Sequence, residues 1–88
     1  MKKNIEWTFE GWEHYLEWQN EDEKVVNKIN GFIDEIMSTP FKGTGKPEPL
    51  KTNYSGYWSR RITLEHRLVY KVESNKIVII DCKGHYEK

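Results

Sequence analysis

The chain has 88 residues, 32% of them charged, a formal net charge of zero and one cysteine, Cys82. That length admits one small domain, and a lone cysteine excludes an internal disulfide and a cysteine-built zinc cluster. No stretch approaches the roughly 20 apolar residues of a membrane span, and the opening MKKNIEWTF has two lysines but no long apolar run of a secretory signal behind them.

A reducing cytoplasm is therefore the expected compartment. A domain this short buries only about 60–70% of the surface its unfolded chain exposes. Four Trp, five Tyr and three Phe offset the thin core, because each ring buries a large area for few rotatable bonds.

In chain order, Asn4 to Phe9 alternate, with Ile5, Trp7 and Phe9 on one side, the pattern of a half-buried strand. Thr8 is placed to cap a helix over residues 10–20, with Glu10 and Glu13 suited to its positive end. Trp12, Tyr15 and Leu16 share one face of it. The run Asn20-Glu21-Asp22-Glu23 reads as a capping box for a second helix. Val25, Val26, Ile29, Phe32, Ile33, Ile36 and Met37 form an apolar stripe along residues 23–38, which Pro40 ends. So short a joint makes the two helices an antiparallel pair.

Residues 40–56, PFKGTGKPEPLKTNYSG, carry three prolines and three glycines and predict an ordered loop over a packed element. Loops of this length in small domains are commonly functional. Tyr57 to Thr63 then alternates aromatic and basic residues, Arg67 to Val72 is rich in Leu, Val and Tyr, and Lys76 to Cys82 contains Ile77-Val78-Ile79-Ile80. Ser74-Asn75 suggests a tight hairpin between the last two. The expectation is an α+β fold in one domain over residues 1–88: an N-terminal strand, an antiparallel helix pair, then a C-terminal antiparallel sheet meander with helices on one face.

The zero net charge hides an asymmetry. Residues 1–39 hold four bases against nine acids, a balance of −5, and residues 40–88 hold ten bases against five acids, a balance of +5. One face should repel polyanions and the other attract them. Lys42, Lys46, Lys51, Arg60, Arg61 and Arg67 are interleaved with Tyr54, Tyr57 and Trp58, the mixture of cations and stacking rings that an RNA surface needs. A core built of the rings with solvated charges around it accounts for the same residues, and a strand with two faces accommodates both.

Several segments stand together in a distinctive order: Gly45-Lys46-Pro47-Glu48-Pro49-Leu50-Lys51, then Ser55-Gly56-Tyr57-Trp58-Ser59-Arg60-Arg61-Ile62-Thr63, then Glu65-His66-Arg67-Leu68-Val69-Tyr70, and His85-Tyr86 near the end. Together with the opening strand and Tyr15-Leu16-Glu17-Trp18-Gln19, they resemble the YoeB toxins of the RelE/ParE superfamily from residue 4 to residue 86. The resemblance implies a RelE/YoeB-like microbial ribonuclease-type fold. It implies a metal-independent, cofactor-free endoribonuclease that enters the ribosome, meets ribosomal RNA and A-site messenger, and stops translation by cutting the message. The 2′-hydroxyl attacks its own neighbouring phosphate and leaves a cyclic phosphate and a free 5′-hydroxyl. A YefM (Phd-like) antitoxin that blocks the toxin is the implied partner, and a toxin homodimer is allowed.

The family's catalytic residues fall on Glu48, Arg67, His85 and Tyr86, and Lys51 and Arg61 match supporting positions. Glu48, held between Pro47 and Pro49, is the candidate general base; without the motif it is an ordinary loop acid. Arg67 is the candidate phosphate clamp, since a guanidinium presents a planar fork matched to phosphate oxygens; by itself it is equally a strand arginine paired with an acid. His85 is the candidate general acid and Tyr86 a base-stacking ring, although either alone would be a mere terminal side chain. Lys46 and Arg60 join Lys51 and Arg61 as expected RNA contacts. His14 and His66 are expected to be structural, and the spacing of the three histidines supports no metal site. Here the chain departs from the family habit: Glu87 and Lys88 follow Tyr86, and Lys83-Gly84 stands where a more basic and aromatic pair is expected. Two other readings stay open: a ParE-like toxin acting on a topoisomerase, which needs no acid–base set, and a non-enzymatic RNA- or protein-binding module.

Overall fold

Thr8 ends the first strand, β1 (Asn4–Trp7), and starts the first helix, α1 (Phe9–Glu21). In the computed structural model, which describes residues 3–51 and 56–84, its hydroxyl accepts from the Gly11 N–H at 3.0 Å. That satisfies one of the donors every helix start leaves unpaired. Asp22 repeats the device for α2 (Glu23–Ser38), accepting from the Lys24 N–H at 3.0 Å. The capping residue is Asp22 and not Asn20, because α1 continues through Glu21. The Tyr15 hydroxyl donates to Asn30 Oδ1 at 2.6 Å. These positions lie nearly equidistant from the joint, as antiparallel helices require.

The remaining elements are β2 (Glu48–Pro49), β3 (Tyr57–Arg61), β4 (Arg67–Val72) and β5 (Lys76–Gly84). The sheet order is β1-β5-β4-β3-β2. The meander β2 to β5 is antiparallel, but β1 lies parallel to β5, with Ile5 beside Ile77 and Trp7 beside Ile79. Trp18, Val25, Val26, Ile29, Phe32 and Ile36 of the helices pack on Ile62, Leu68, Tyr70, Ile77, Ile79 and Cys82 to form the core. Phe9, expected on the inner side of the opening strand, is 76% exposed, because the strand stops at Trp7 and Phe9 begins a helix.

β1 accompanies β5 only as far as Ile79. Beyond it, α1 covers the edge. The Thr8 hydroxyl donates to the Ile80 carbonyl (2.9 Å), the Cys82 N–H donates to His14 Nδ1 (3.3 Å) and the Trp18 indole donates to the Cys82 carbonyl (3.0 Å). Side chains of the helix and its cap thus take the place of a missing strand at Ile80 and Cys82. Gly11 makes the approach possible: a Cβ on it would stand 2.7 Å from the Ile79 carbonyl oxygen. Lys83 fastens the end of the strand, with Nζ 2.9 Å from Glu17, 3.1 Å from Glu21 and 4.8 Å above the Trp18 ring.

Candidate active site on the sheet face away from the helices

Trp58 and Arg60 of β3 share a face with Leu68 and Tyr70, which meet the helices. Alternation places Ser59 and Arg61 on the opposite face. Register then assembles the site: Glu48 stands opposite Ser59, and Arg61 opposite Arg67. The Arg67 guanidinium donates to Glu48 Oε1 at 3.1 Å and lies 3.4 Å from the Ser59 hydroxyl. Both partners of this ion pair keep some solvent access, 17% for Arg67 and 30% for Glu48. The Glu48 carboxylate therefore pairs with Arg67, and Arg61 lies opposite Arg67 in register. Among the described residues the buried Nε of Arg61 has no hydrogen-bond partner. Arg61, opposite Arg67 in register, leaves this group with two bases against one acid.

Gly84, the residue before His85, is the register partner of Arg67, and the pairing of β4 with β5 shifts on either side of Val69. Such irregularities re-aim a strand. The sequence-predicted His85 and Tyr86, and Tyr54 of the basic patch, lie outside the described residues. Lys46 is exposed, with a left-handed backbone (φ 52°), and Lys51 is exposed just after β2. Ser59 was missed as a member of this group. Its signal was the alternation Tyr57, Ser59, Arg61, which gains meaning only once Glu48 is known to pair with it.

Arg60, expected as an RNA contact, is the clear correction. It is fully buried on the helix side, ion-paired with Glu35. Its Nε donates to the Tyr70 hydroxyl (3.2 Å), and its terminal nitrogens donate to the carbonyls of Thr39 (3.0 Å), Lys42 (2.9 Å) and Thr44 (3.2 Å). With its donors committed inside the protein, it leaves the RNA-contacting set. His66 anchors the β3–β4 turn through Thr63, and His14 stands 3.1 Å from Asp81 at the seam of α1 and β5. Among the described residues no three His, Cys, Asp or Glu side chains stand together as metal ligands, and no helix is long and apolar enough to cross a membrane.

The architecture of two helices on a five-stranded mixed sheet is shared with YafQ of Escherichia coli. That likeness has a TM-score of 0.73 over 93% of this chain and 92% of the other, at 15% identity, and so concerns the fold alone. The fold is that of the RelE-type toxins. Residues 7–86 match the family described as the YoeB-like toxin of bacterial type II toxin-antitoxin system, and the chain belongs to that family. It is 55% identical over 80 residues to Toxin YoeB of Escherichia coli K12, covering 91% of this chain and 95% of that one. The structure of the YoeB dimer from Staphylococcus aureus superposes with a TM-score of 0.90 at 46% identity, over 98% of this chain and 100% of the other. The YoeB–YefM complex from the same organism gives 0.86 at 45% identity, with the same coverage.

Proposed function

We propose that this chain, as one toxin domain over residues 1–88 acting in the cytoplasm, is a ribosome-dependent endoribonuclease that cuts translated messenger RNA in the A site. The observation that carries this reading is the Glu48–Arg67 pair, flanked by Arg61 and in register with Gly84. Glu48 takes the proton from the 2′-hydroxyl, whose oxygen then bonds to the adjacent phosphorus. Arg67 and Arg61 hold the phosphate oxygens as charge gathers on them. The bond to the 5′-oxygen breaks, and His85 protonates that leaving oxygen. Tyr86 stacks on a neighbouring base. Lys46 and Lys51 guide the RNA backbone along the same face. The products are a 2′,3′-cyclic phosphate and a 5′-hydroxyl, with no metal or cofactor taking part. The Staphylococcus aureus complex supports a YefM-like antitoxin as partner, and the dimer from that organism supports self-association.

The test is cleavage of a defined message on translating ribosomes, with the fragment ends identified. Cyclic phosphate ends are expected, and Glu48→Gln and His85→Ala should each slow single-turnover cleavage by about 10²-fold or more. A 3′-hydroxyl with a 5′-phosphate, or efficient cutting of naked RNA, would overturn the mechanism or the ribosome dependence respectively.

A further inference from the structure

We propose that Arg60 is a positioning residue that aims Glu48, by holding the loop of residues 39–46 in one conformation from beneath; this rests on Glu48 being the base. At its outer side the loop is held by the Phe41 ring against Trp58 (centroids 4.7 Å apart) and by the Lys42 N–H donating to the Thr39 carbonyl at 3.4 Å. Phe41 is half exposed, and Gly43 (φ 125°), Gly45 (φ 79°) and Lys46 (φ 52°) all have left-handed backbones. Its inward carbonyls, those of Thr39, Lys42 and Thr44, converge on one fully buried guanidinium. The Tyr70 hydroxyl accepts from that guanidinium and donates to the Pro40 carbonyl at 2.7 Å. Glu35 completes the ring. It pairs with Arg60 and accepts from the Thr44 N–H at 2.8 Å.

The loop runs directly into the base. The Arg61 N–H donates to the Gly45 carbonyl at 2.7 Å, and three residues later Glu48 pairs with Ser59. Consecutive residues of β3 therefore set the loop's shape (Arg60), its end point (Arg61) and the register of Glu48 (Ser59). Pro47 and Pro49 stiffen the link, so a shift of Gly45 is transmitted to the carboxylate instead of being absorbed. A buried charge is seldom the most stabilising filling for a core, but one that fixes several named carbonyls selects a single loop conformation. Misplacement of a catalytic group by about 1 Å can lower a rate by roughly 10²-fold.

Two variants test the role, Arg60→Lys and the milder Tyr70→Phe, the second serving if the first does not fold. Each is measured for thermal melting, for affinity to programmed ribosomes, for amide exchange at Thr44 and for single-turnover cleavage. Each is also combined with Glu48→Gln. The expected result is a folded protein with parent-like ribosome affinity, faster exchange at Thr44 and cleavage slowed by roughly 10-fold to 10²-fold. In the Glu48→Gln background neither change should slow cleavage further, because the group being aimed is gone. Parent-rate cleavage by folded Tyr70→Phe, or losses that multiply with that of Glu48→Gln, overturns the positioning role. Parent-rate cleavage by Glu48→Gln alone overturns the base assignment, and the aiming of it as well.

Discussion

Arg67 already gives a donor to Glu48 at 3.1 Å, so in the proposed mechanism the RNA phosphate must compete for a guanidinium that is in use. A planar fork can serve both, one edge toward the carboxylate and the other toward a phosphate oxygen, whereas an ammonium is a point charge. Arg67→Ala should lower single-turnover cleavage by about 10²–10³-fold, and Arg67→Lys should recover only a minor part. A lysine variant as fast as the parent would show that charge alone suffices. Cys82 gives a different residue-scale prediction. Burial, and secondarily the neighbouring Asp81 charge, pushes its thiol up to about 12. Alkylation at mildly alkaline pH should be very slow in the native protein and fast in denaturant, so that labelling reports unfolding; rapid native labelling would contradict that burial. Neighbours in sequence differed greatly in how far their surroundings could be seen beforehand. Arg67 was expected as a phosphate clamp or as a strand arginine paired with an acid, and it does stand against an acid, Glu48. Arg60 was misassigned because the carbonyls that justify burying it belong to a loop whose path no periodicity encodes.

At the scale of elements, the loop of residues 39–46 leads to Glu48, and β5 ends at Gly84, beside Arg67. The loop is sensitive to acid. The Glu35 carboxyl is held below its ordinary range, first by the hydrogen bond from the Thr44 N–H, with Arg60 adding to it and partial burial opposing. A carboxylate depressed in the folded state contributes stability above its unfolded pKa and loses it as pH falls through its folded value. The contribution is thus complete at neutral pH. Acidification through and below the carboxylate range should loosen the loop first, seen as faster exchange at Thr44 before global melting. Glu35→Gln should flatten that acid limb; an unchanged limb would place the acid sensitivity elsewhere. The helices and the Thr8 cap were visible in the sequence because apolar spacing and a capping hydroxyl are local signals. The parallel placement of β1 beside β5 was not, since strand order depends on which edges remain open after the meander forms. Nor was the cover that His14 and Trp18 give the end of β5, because the acceptors and donors they meet are backbone groups some 64 to 68 residues away.

Across the whole molecule the acidic and basic halves are stitched together: Arg60 pairs with Glu35, Lys76 with Glu6, and Lys83 with Glu17 and Glu21. Part of the +5 of residues 40–88 is therefore spent holding the fold. Among the other bases of that half, Arg61 faces Arg67 in register, and Lys42, Lys46 and Lys51 lie exposed near Glu48 in sequence. The exposed helix surface carries Glu10, Glu13, Glu23 and Asp34 against Lys24 and Lys28. A YefM-like antitoxin should accordingly bring an acidic segment to the sheet face and not to the helices. If that segment orders on binding, it can wrap a wide surface, with electrostatic steering to hasten the encounter. Association should slow steeply as salt rises through roughly the 0.1 M range, where the screening length falls to about 10 Å. Amide exchange of the complex against the free toxin should show new protection across residues 45–51 and 57–67 and little change along α1. Arg61→Glu should slow association more than dissociation, because a reversed charge alters the approach more than the packed contact. Protection confined to α1 and α2, or an association rate indifferent to salt and to Arg61→Glu, would place the antitoxin on the other half of the molecule and require inhibition to act at a distance from Glu48 and Arg67.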